Sequence, residues 1–290
     1  MLRLRILTAA IGLPLVLLTF VFGPDWLIFG ALMVFLTLCV FEAARMILPR
    51  LEELLAGPVA KQFEVKTGHL GKEGLVFLTI FMGWLIFVTS ALGPQGGARS
   101  VIVVGLLVTI VVSTFIARDI ELAMAQMLAI LFALCYGALP WIAVWDLYLM
   151  GDHSRYILLM LAIVWMGDTG GYFGGRALGG RLIRTKMSPH RSPNKTWEGA
   201  ASGIGCSVLG AFGLNAVFAG QLAPLWVLAL VAVVGGIAGQ LGDLVESTLK
   251  RFCRVKDSGS IVPGHGGFLD RVDGILFAAP ACWSILYFFK

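Results

Sequence analysis

Nine apolar runs divide this chain, and they constrain its fold more than any other feature. Each run is continuous, and each approaches the roughly 20 residues that an α-helix needs to cross a bilayer. A membrane β-barrel would instead show segments of alternating polarity. The sequence therefore predicts an all-α, polytopic integral membrane protein with about nine transmembrane helices. They are expected near residues 6–22, 26–48, 74–92, 100–117, 122–144, 156–173, 199–218, 224–246 and 274–289.

The composition agrees with a membrane protein. Of the residues, 58% are hydrophobic and 13% are charged, whereas soluble domains carry about 25% charged residues. The 5 cysteines are scattered and form no CxxC pair, so neither a disulfide framework nor a zinc site is indicated. The basic start and first apolar run suggest a signal peptide, but no small-x-small cleavage site precedes Gly23-Pro24-Asp25. We expect a retained first helix.

The distribution of Lys and Arg predicts the orientation. With the N-terminus in the cytoplasm, all but three of the 22 basic residues fall on the cytoplasmic side, the exceptions being Arg99, Arg155 and Lys290. This asymmetry follows the positive-inside rule. We expect one membrane domain over 1–290, with N-terminal transmembrane helices in 1–150. The half formed by 151–290 carries two cytoplasmic loops, 174–198 and 247–273.

The first polar cluster, residues 168–176, is rich in glycine and begins with a carboxylate inside an apolar run. At that depth the carboxylate of Asp168 costs several kcal/mol unless it is paired or bound to a metal. The glycines allow a ligand or another backbone to approach closely. Two interpretations stay open: a ligand site, or an Asp168–Arg pair beside glycines that serve only helix packing. A dinucleotide-binding GxGxxG motif is absent.

The second polar cluster, residues 186–199, is a basic loop that contains two Ser-Pro steps. Its cations and uncharged hydrogen-bonding groups come from Lys186, Arg191, Lys195, Ser192, Asn194 and Thr196. This combination favours a loop that binds phosphate, although it is not a Walker A motif. The alternative is a loop that only contacts anionic lipid headgroups.

The third polar cluster, residues 240–273, joins the eighth apolar run to the ninth. In a helix, Asp243, Glu246 and Ser247 share one face, and Asp270 and Asp273 repeat the i, i+3 spacing. Two carboxylate pairs on neighbouring helix ends, separated by a glycine-containing loop, favour a hard cation such as Mg²⁺.

The same cluster is dense in cations, which leaves a second interpretation open. Lys250, Arg251 and Arg271 could pair with these acids, and a metal site is often surrounded by such pairs. A lone histidine such as His265 more often forms structural hydrogen bonds, but the glycines on both sides of it favour contact with a substrate. The residues alone thus indicate Mg²⁺-dependent chemistry on a phosphorylated substrate at a membrane. A transporter would spread its polar groups over both faces, but here they lie on one side.

These residues resemble the signature of the phosphatidate cytidylyltransferase family, also called CDP-diacylglycerol synthases. The longest match runs Ser247-x-Leu-Lys-Arg-x4-Lys256-Asp-x-Gly-x2-Val262-Pro-x-His-Gly-Gly-Phe-x-Asp270-Arg-Val-Asp273. The Asp-Thr-Gly-x-Tyr-Phe-x-Gly-Arg stretch at 168–176 and the Ser-Pro-x-Lys-Thr-Trp-Glu-Gly stretch at 192–199 match as well. The one departure is Val262, which replaces another apolar residue.

The resemblance implies an enzyme that joins CTP and phosphatidic acid into CDP-diacylglycerol and pyrophosphate, in phospholipid biosynthesis. It implies a Mg²⁺-dependent nucleotidyltransferase in the lipid bilayer, formed as a homodimer, with 151–290 as its catalytic half. A second, monovalent cation stays open, and no nucleic-acid partner is expected. The expected location is the inner (cytoplasmic) membrane of a bacterial cell, with the active site facing the cytoplasm.

The resemblance also implies roles for single residues. The expected metal ligands are Asp243 and Asp270, followed by Asp273 and Asp168. The expected catalytic and phosphate-binding residues are Asp243, Asp270, Lys250, Arg251, Lys256, His265 and Arg271. The expected substrate-binding residues are Ser192, Lys195, Thr196, Arg176, Gly266 and Gly267. A rival is another CTP-using membrane enzyme, such as a lipid-alcohol kinase, which would release CDP instead of pyrophosphate.

Overall fold

The computed structural model describes residues 2–55, 71–93, 98–116, 120–151, 154–189 and 191–290. Over these ranges the chain forms α1 (Leu2–Phe22), α2 (Asp25–Leu55), α3 (Lys72–Leu92), α4 (Ala98–Ile116), α5 (Ile120–Gly137), α6 (Leu139–Met150), α7 (Arg155–Leu178), α8 (Trp197–Val217), α9 (Leu225–Phe252) and α10 (Leu269–Phe289). No strand occurs in the described ranges, which hold two isolated β-bridges. The all-α prediction is confirmed.

Seven helical segments in the described ranges are long and apolar enough to cross a membrane. They are α2, α3, the pair α5 and α6, α7, α8, α9 and α10. The helices α1 and α4 contribute the shorter apolar segments Ala10–Phe22 and Ile102–Phe115. In order along the chain these nine segments correspond to the nine predicted runs. The polytopic membrane character is confirmed, and nine crossings stay a prediction.

The apolar run predicted at 122–144 is broken between α5 and α6 at Ala138, two residues before Pro140. Proline is tolerated there because the first residues of a helix need no intrahelical N–H donor. The predicted runs end at 144 and resume at 156, but α6 continues through Asp146 to Met150.

Both polar loops are shorter than predicted because the preceding helices continue into them and the following helices begin at Trp197 and Leu269. The helix α7 reaches Leu178 and includes Arg176, and α9 reaches Phe252 and includes Lys250 and Arg251. Basic side chains are favourable in a last turn, where the helix dipole is negative. The connecting segments are therefore 179–196 and 253–268 instead of 174–198 and 247–273.

The chain divides into two compact units. The first comprises Met1–Thr19, Gly23–Ile142 and Phe252–Leu269, and the second comprises Phe20–Phe22, Ala143–Arg251 and Asp270–Lys290. In the first unit, fully buried Leu36, Phe87 and Leu134 form part of an apolar core among α2, α3 and α5. The segment 253–268 belongs to this unit although the helices that flank it in sequence lie mostly in the other. The single membrane domain over 1–290 stays a prediction.

In the second unit, small residues bring α7 and α8 together. A Cβ atom placed on Gly170 would overlap Cys206, and one placed on Gly174 would overlap Ser202. Close packing of this kind gives neighbouring transmembrane helices their van der Waals attraction. The glycines that follow Asp168 therefore serve helix packing, as one of the two interpretations proposed.

Candidate active site

Lys250 lies between two buried carboxylates in the second unit. Its Nζ donates to Glu246 Oε2 at 2.6 Å on the same helix and to Asp270 Oδ1 on α10. The side chains of Glu246 and Asp270 are only 1% and 5% exposed. The ammonium group therefore offsets the cost of burying two acids, because an unpaired buried charge is strongly destabilising. The pairing of the acids with Lys250, left open by the sequence, is present in the structure.

A second lysine connects the basic loop to α9. The Nζ of Lys195 lies 2.8 Å from Asp243 Oδ2 and donates to the carbonyl oxygen of Gln240 at 3.1 Å. On the other side of the same carboxylate, Ser247 Oγ donates to Asp243 Oδ1 at 3.3 Å. The Asp243 side chain remains 45% exposed, so it can still be reached by a ligand. The second and third polar clusters therefore meet at Asp243.

Three carboxylates of the second unit lie close enough to interact electrostatically: Asp168, Asp243 and Asp273. The approach of α9 to α10 depends on Gly242, because a Cβ atom there would overlap the carbonyl oxygen of Asp273. Lys195 also lies within electrostatic range of Asp168. All three polar clusters thus contribute a carboxylate or a lysine to one region.

The basic segment 179–196 ends in a compact turn that presents Lys195. The backbone N–H of Ser192 donates to Ser188 O at 3.0 Å, and that of Lys195 donates to Ser192 O at 3.1 Å. Thr196 is buried and caps α8, because its Oγ1 accepts the N–H of Gly199 at 3.1 Å. His190, part of the same cluster, lies outside the described residues.

The segment 253–268, in the first unit, contains a tight turn around Pro263. Val262 accepts the N–H of His265 at 3.0 Å and donates to Gly266 O at 3.0 Å. Gly264 and Gly266 have φ angles of 77° and 85°, a region that glycine adopts without strain. The Nδ1 atom of His265 is buried and has no hydrogen-bond partner among the described residues. A ligand could supply that partner.

The remaining predicted site residues differ in exposure. Gly267 is buried, and Ser192, His265 and Gly266 are half-buried. The exposed cations are Arg176, Arg251, Lys256 and Arg271. The structure brings together Asp168, Asp243, Asp273 and Lys195 and pairs Lys250 with Asp270. Asp273 also lies within electrostatic range of Lys250 and Glu246, so the two groups adjoin. The binding roles of the others stay predictions.

The prediction of site residues from the sequence missed two acids of the second unit. Glu246 was placed on the face of Asp243 but given no role, although its i, i+4 spacing to Lys250 could have indicated the pair. Glu198, in the first turn of α8, accepts the backbone N–H groups of Leu182 and Ile183 at 3.0 and 2.8 Å. No sequence pattern indicates this contact with the start of the basic loop. A third missed acid, Glu42, belongs to the first unit.

The side chains of the site offer carboxyl oxygens, the type of ligand that a hard divalent cation prefers. These carboxyl groups, from Asp168, Asp243, Glu246, Asp270 and Asp273, outnumber the two lysines that pair with them. Among the described residues, no group of three or more His, Cys, Asp or Glu side chains could by itself hold a metal ion. Mg²⁺ usually takes only one or two carboxylates and completes its shell with water and substrate phosphates. The residues present therefore fit Mg²⁺ bound together with a phosphorylated substrate.

The fold and this site define a class: polytopic helical membrane proteins whose polar site combines clustered carboxylates with lysines. A family model described as "Cytidylyltransferase family" matches residues 3–289. The chain belongs to this family, which confirms the family resemblance of its motifs.

Individual relatives agree. The chain is 44% identical over 151 residues to a phosphatidate cytidylyltransferase of Staphylococcus epidermidis, covering 51% of this chain and 56% of that one. It is 44% identical over 133 residues to that of Brucella suis, covering 46% of each chain. It is 35% identical over 226 residues to the Bacillus subtilis protein of the same name, covering 76% of this chain and 79% of that one. The chain thus spans about half the length of the first two relatives and more of the third.

Proposed function

We propose that this chain transfers CMP from CTP to phosphatidic acid and so forms CDP-diacylglycerol and pyrophosphate for phospholipid synthesis. The observation that carries the proposal is the Lys195–Asp243 ion pair, at 2.8 Å. It joins two of the signature-like segments within a chain that belongs to the cytidylyltransferase family. The name and coverage of the Bacillus subtilis relative support the same reaction.

The reaction places particular demands on such a site. A phosphate oxygen of phosphatidic acid attacks the α-phosphorus of CTP, the bond from that phosphorus to the bridging oxygen breaks, and pyrophosphate leaves. The attacking oxygen is already anionic, so no strong general base is needed. The obstacles are the repulsion between two polyanions and the charge that develops on the leaving group. Positioned cations and hydrogen-bond donors lower both.

We assign phosphate binding to the cations of the site. The exposed side chains suited to it are Arg176, Arg251, Lys256 and Arg271. The ammonium groups of Lys195 and Lys250 each have three N–H donors, so they would donate to phosphate while they keep their carboxylate partners. The turn that ends at Lys195 supports a role for Ser192 and Thr196 near the nucleotide. The Nδ1 of His265, which has no hydrogen-bond partner in the described part of the chain, supports contact with substrate. Gly266 and Gly267 would present backbone N–H groups to phosphate.

We assign Mg²⁺ to the carboxylates of Asp243 and Asp270, with Asp273 and Asp168 as further ligands. When bound, the ion would offset phosphate charge and stabilise the leaving pyrophosphate. Asp243 is the more accessible of the first two, because Asp270 is almost fully buried against Lys250. A second, monovalent cation stays an alternative use of the surplus carboxyl groups.

We also propose an orientation of the chain in the membrane and an oligomeric state. Nine crossings with a cytoplasmic N-terminus place both polar loops on the side where CTP is available, in the inner membrane of a bacterial cell. The strong asymmetry of basic residues supports this orientation. A homodimer is proposed from the family resemblance alone.

The test is pyrophosphate release by the purified protein in detergent, with CTP, phosphatidic acid and Mg²⁺. We expect release to require all three components and to fall at least about 100-fold in Asp270→Asn, because the carboxylate would lose its charge. Glu73→Gln is the matched control, since Glu73 is exposed and pairs with the exposed side chain of Arg45. Release of CDP instead of pyrophosphate would indicate a lipid-alcohol kinase and contradict the proposal.

A further inference from the structure

The helix α2 contacts both ends of the segment 253–268, and all these contacts lie within the first unit. Glu42 of α2 meets the end of the segment where α10 begins, and Arg50 meets the end where α9 stops. The two residues are eight positions apart, or about 12 Å along the helix. No role was predicted for either of them from the sequence.

Glu42 is a buried carboxylate that accepts hydrogen bonds from the segment. Its Oε1 accepts the N–H of Phe268 at 3.0 Å, and its Oε2 accepts the N–H of Leu269 at 2.8 Å and the hydroxyl of Ser258 at 3.0 Å. The residue is 2% exposed. Among the ion pairs of the described residues, none involves Glu42. Two backbone donors at the start of α10 and the hydroxyl of Ser258 within the segment therefore satisfy Glu42. The helix dipole favours an anion at the start of a helix.

Two glycines of the segment leave room for this carboxylate. A Cβ atom on Gly259 would overlap Glu42 Oε1, and one on Gly267 would overlap Ser258 Oγ and approach Glu42 Oε2 to 2.7 Å. The ring of Phe268 packs on Phe35, another residue of α2, with centroids 5.2 Å apart. The packing against Glu42 and Ser258 therefore explains why both positions are glycine, without reference to any ligand.

At the other end, Arg50 binds the last residue of α9. Its Nε donates to the carbonyl oxygen of Phe252 at 3.0 Å, and its guanidinium lies over the Phe252 ring at 5.6 Å. Glu53 accepts from Arg50 at 2.7 Å and lies 3.6 Å from Arg254. A cation at a helix C-terminus and an anion at a helix N-terminus are both favourable, so α2 complements both ends of the segment.

We propose that Glu42 is a positioning residue of the nucleotide site: it holds residues 258–268 in the conformation that presents His265, Gly266 and Gly267 to phosphate. Arg50 fixes the opposite end of the segment. The role in binding rests on the proposed function, whereas the holding of the loop does not. A loop from the C-terminal part of the sequence thereby depends on α2, within the first unit.

Glu42→Gln tests the proposal, because a glutamine offers one acceptor oxygen where the three donors use two and brings N–H groups against them. The control is Glu73→Gln, the same change at a residue that is exposed and pairs with the exposed Arg45. Two quantities are measured: KM for CTP in the pyrophosphate assay, and the rate of tryptic cleavage after Arg254 and Lys256 in the folded protein. We expect Glu42→Gln to raise both by about tenfold, the size that losing buried hydrogen bonds gives, and Glu73→Gln to change neither by more than about twofold.

A role in stability alone would lower the yield of folded protein and leave KM for CTP unchanged in what remains. Unchanged KM, or an unchanged cleavage rate, in folded Glu42→Gln would overturn the proposal. If Glu42→Gln does not fold, Ser258→Ala removes one of the three donors and is expected to raise both quantities by about threefold; no change would overturn the proposal equally. If the unmodified protein releases no pyrophosphate, the proposed function fails, and the cleavage rates alone still decide whether Glu42 holds the loop.

Discussion

At the scale of single residues, the pairing of acids with lysines determines what each substitution would do. The ordered motifs made Asp243, Asp270 and Lys250 predictable as candidates for the site. Their pairing was not predictable, because it depends on where α9 and α10 approach each other. The sequence left the metal and salt-bridge interpretations open. The structure shows that Lys250 forms ion pairs with two acids and Lys195 with one.

Lys250→Met should abolish activity and destabilise the protein. Without the ammonium group, the buried carboxyl groups of Glu246 and Asp270 lose their shared partner, and breaking such a buried pair costs about 3–5 kcal/mol. Thermal unfolding in detergent measures the loss. Adding Glu246→Gln should recover part of the stability without restoring pyrophosphate release. Full recovery of activity in the double variant would show that Lys250 has only a structural role.

Lys195→Met should raise KM for CTP by about tenfold or more, because the basic turn would lose its ion pair with Asp243 and a cation near the phosphates. Steady-state kinetics at varied CTP measures the change. Lys72→Met is the control, since Lys72 is half exposed and pairs with Glu52, and neither residue belongs to a predicted motif. An unchanged KM for CTP would remove Lys195 from the nucleotide site.

At the scale of helices, the apolar runs predicted the elements well and their ends less well. The segments 174–178 and 247–252 are polar and glycine-rich or charged, so they looked like loops, but they form the last turns of α7 and α9. Polar residues at a helix end carry no periodic signal, and the favourable placement of cations at a C-terminus is visible only once the helix is known. The sequence pattern likewise does not predict that α9 and α10 cross at Gly242.

Gly242→Ala should separate α9 from α10 and inactivate the protein, because the new methyl group would overlap the Asp273 carbonyl oxygen. The backbone atom cannot give way cheaply, so the positions of Asp243 and Asp273 would shift. Gly239→Ala, one turn earlier, is a matched control, since its nearest neighbours lie 3.7 Å away at ordinary contact distance. Pyrophosphate release compared between the two variants is the measurement, and equal activity would contradict the importance of the crossing.

At the scale of the whole molecule, composition and charge predicted the class of protein, but not which segments belong together. Nothing in the sequence links 253–268 to α2, because Glu42 and its donors are 216 to 227 residues apart and share no pattern. Local periodicity reports burial of one face of a helix and does not identify the partner that buries it. The long-range contacts of Glu42 therefore had to come from the structure.

The proposed orientation can be tested by labelling single cysteines in a background that lacks the five natural ones. Arg184→Cys, in the basic loop, should react with an impermeant maleimide only after the cells are permeabilised. Gln221→Cys, between α8 and α9, should react in intact cells, because the few basic residues assigned to that side place it outside. Both positions are exposed. The reverse labelling pattern would invert the proposed topology.

The contact between Glu42 and the last polar segment also has a consequence for the order of biosynthesis. Glu42 leaves the ribosome 226 residues before Phe268, which is roughly 10 to 45 s at ordinary rates of translation. During that interval its carboxylate lies in an apolar helix without the hydroxyl and N–H groups that later satisfy it. When the segment 258–269 is synthesised, the Glu42 side chain that it binds is therefore already present. The arrival of the segment completes the hydrogen bonding of a helix that was synthesised more than 200 residues earlier.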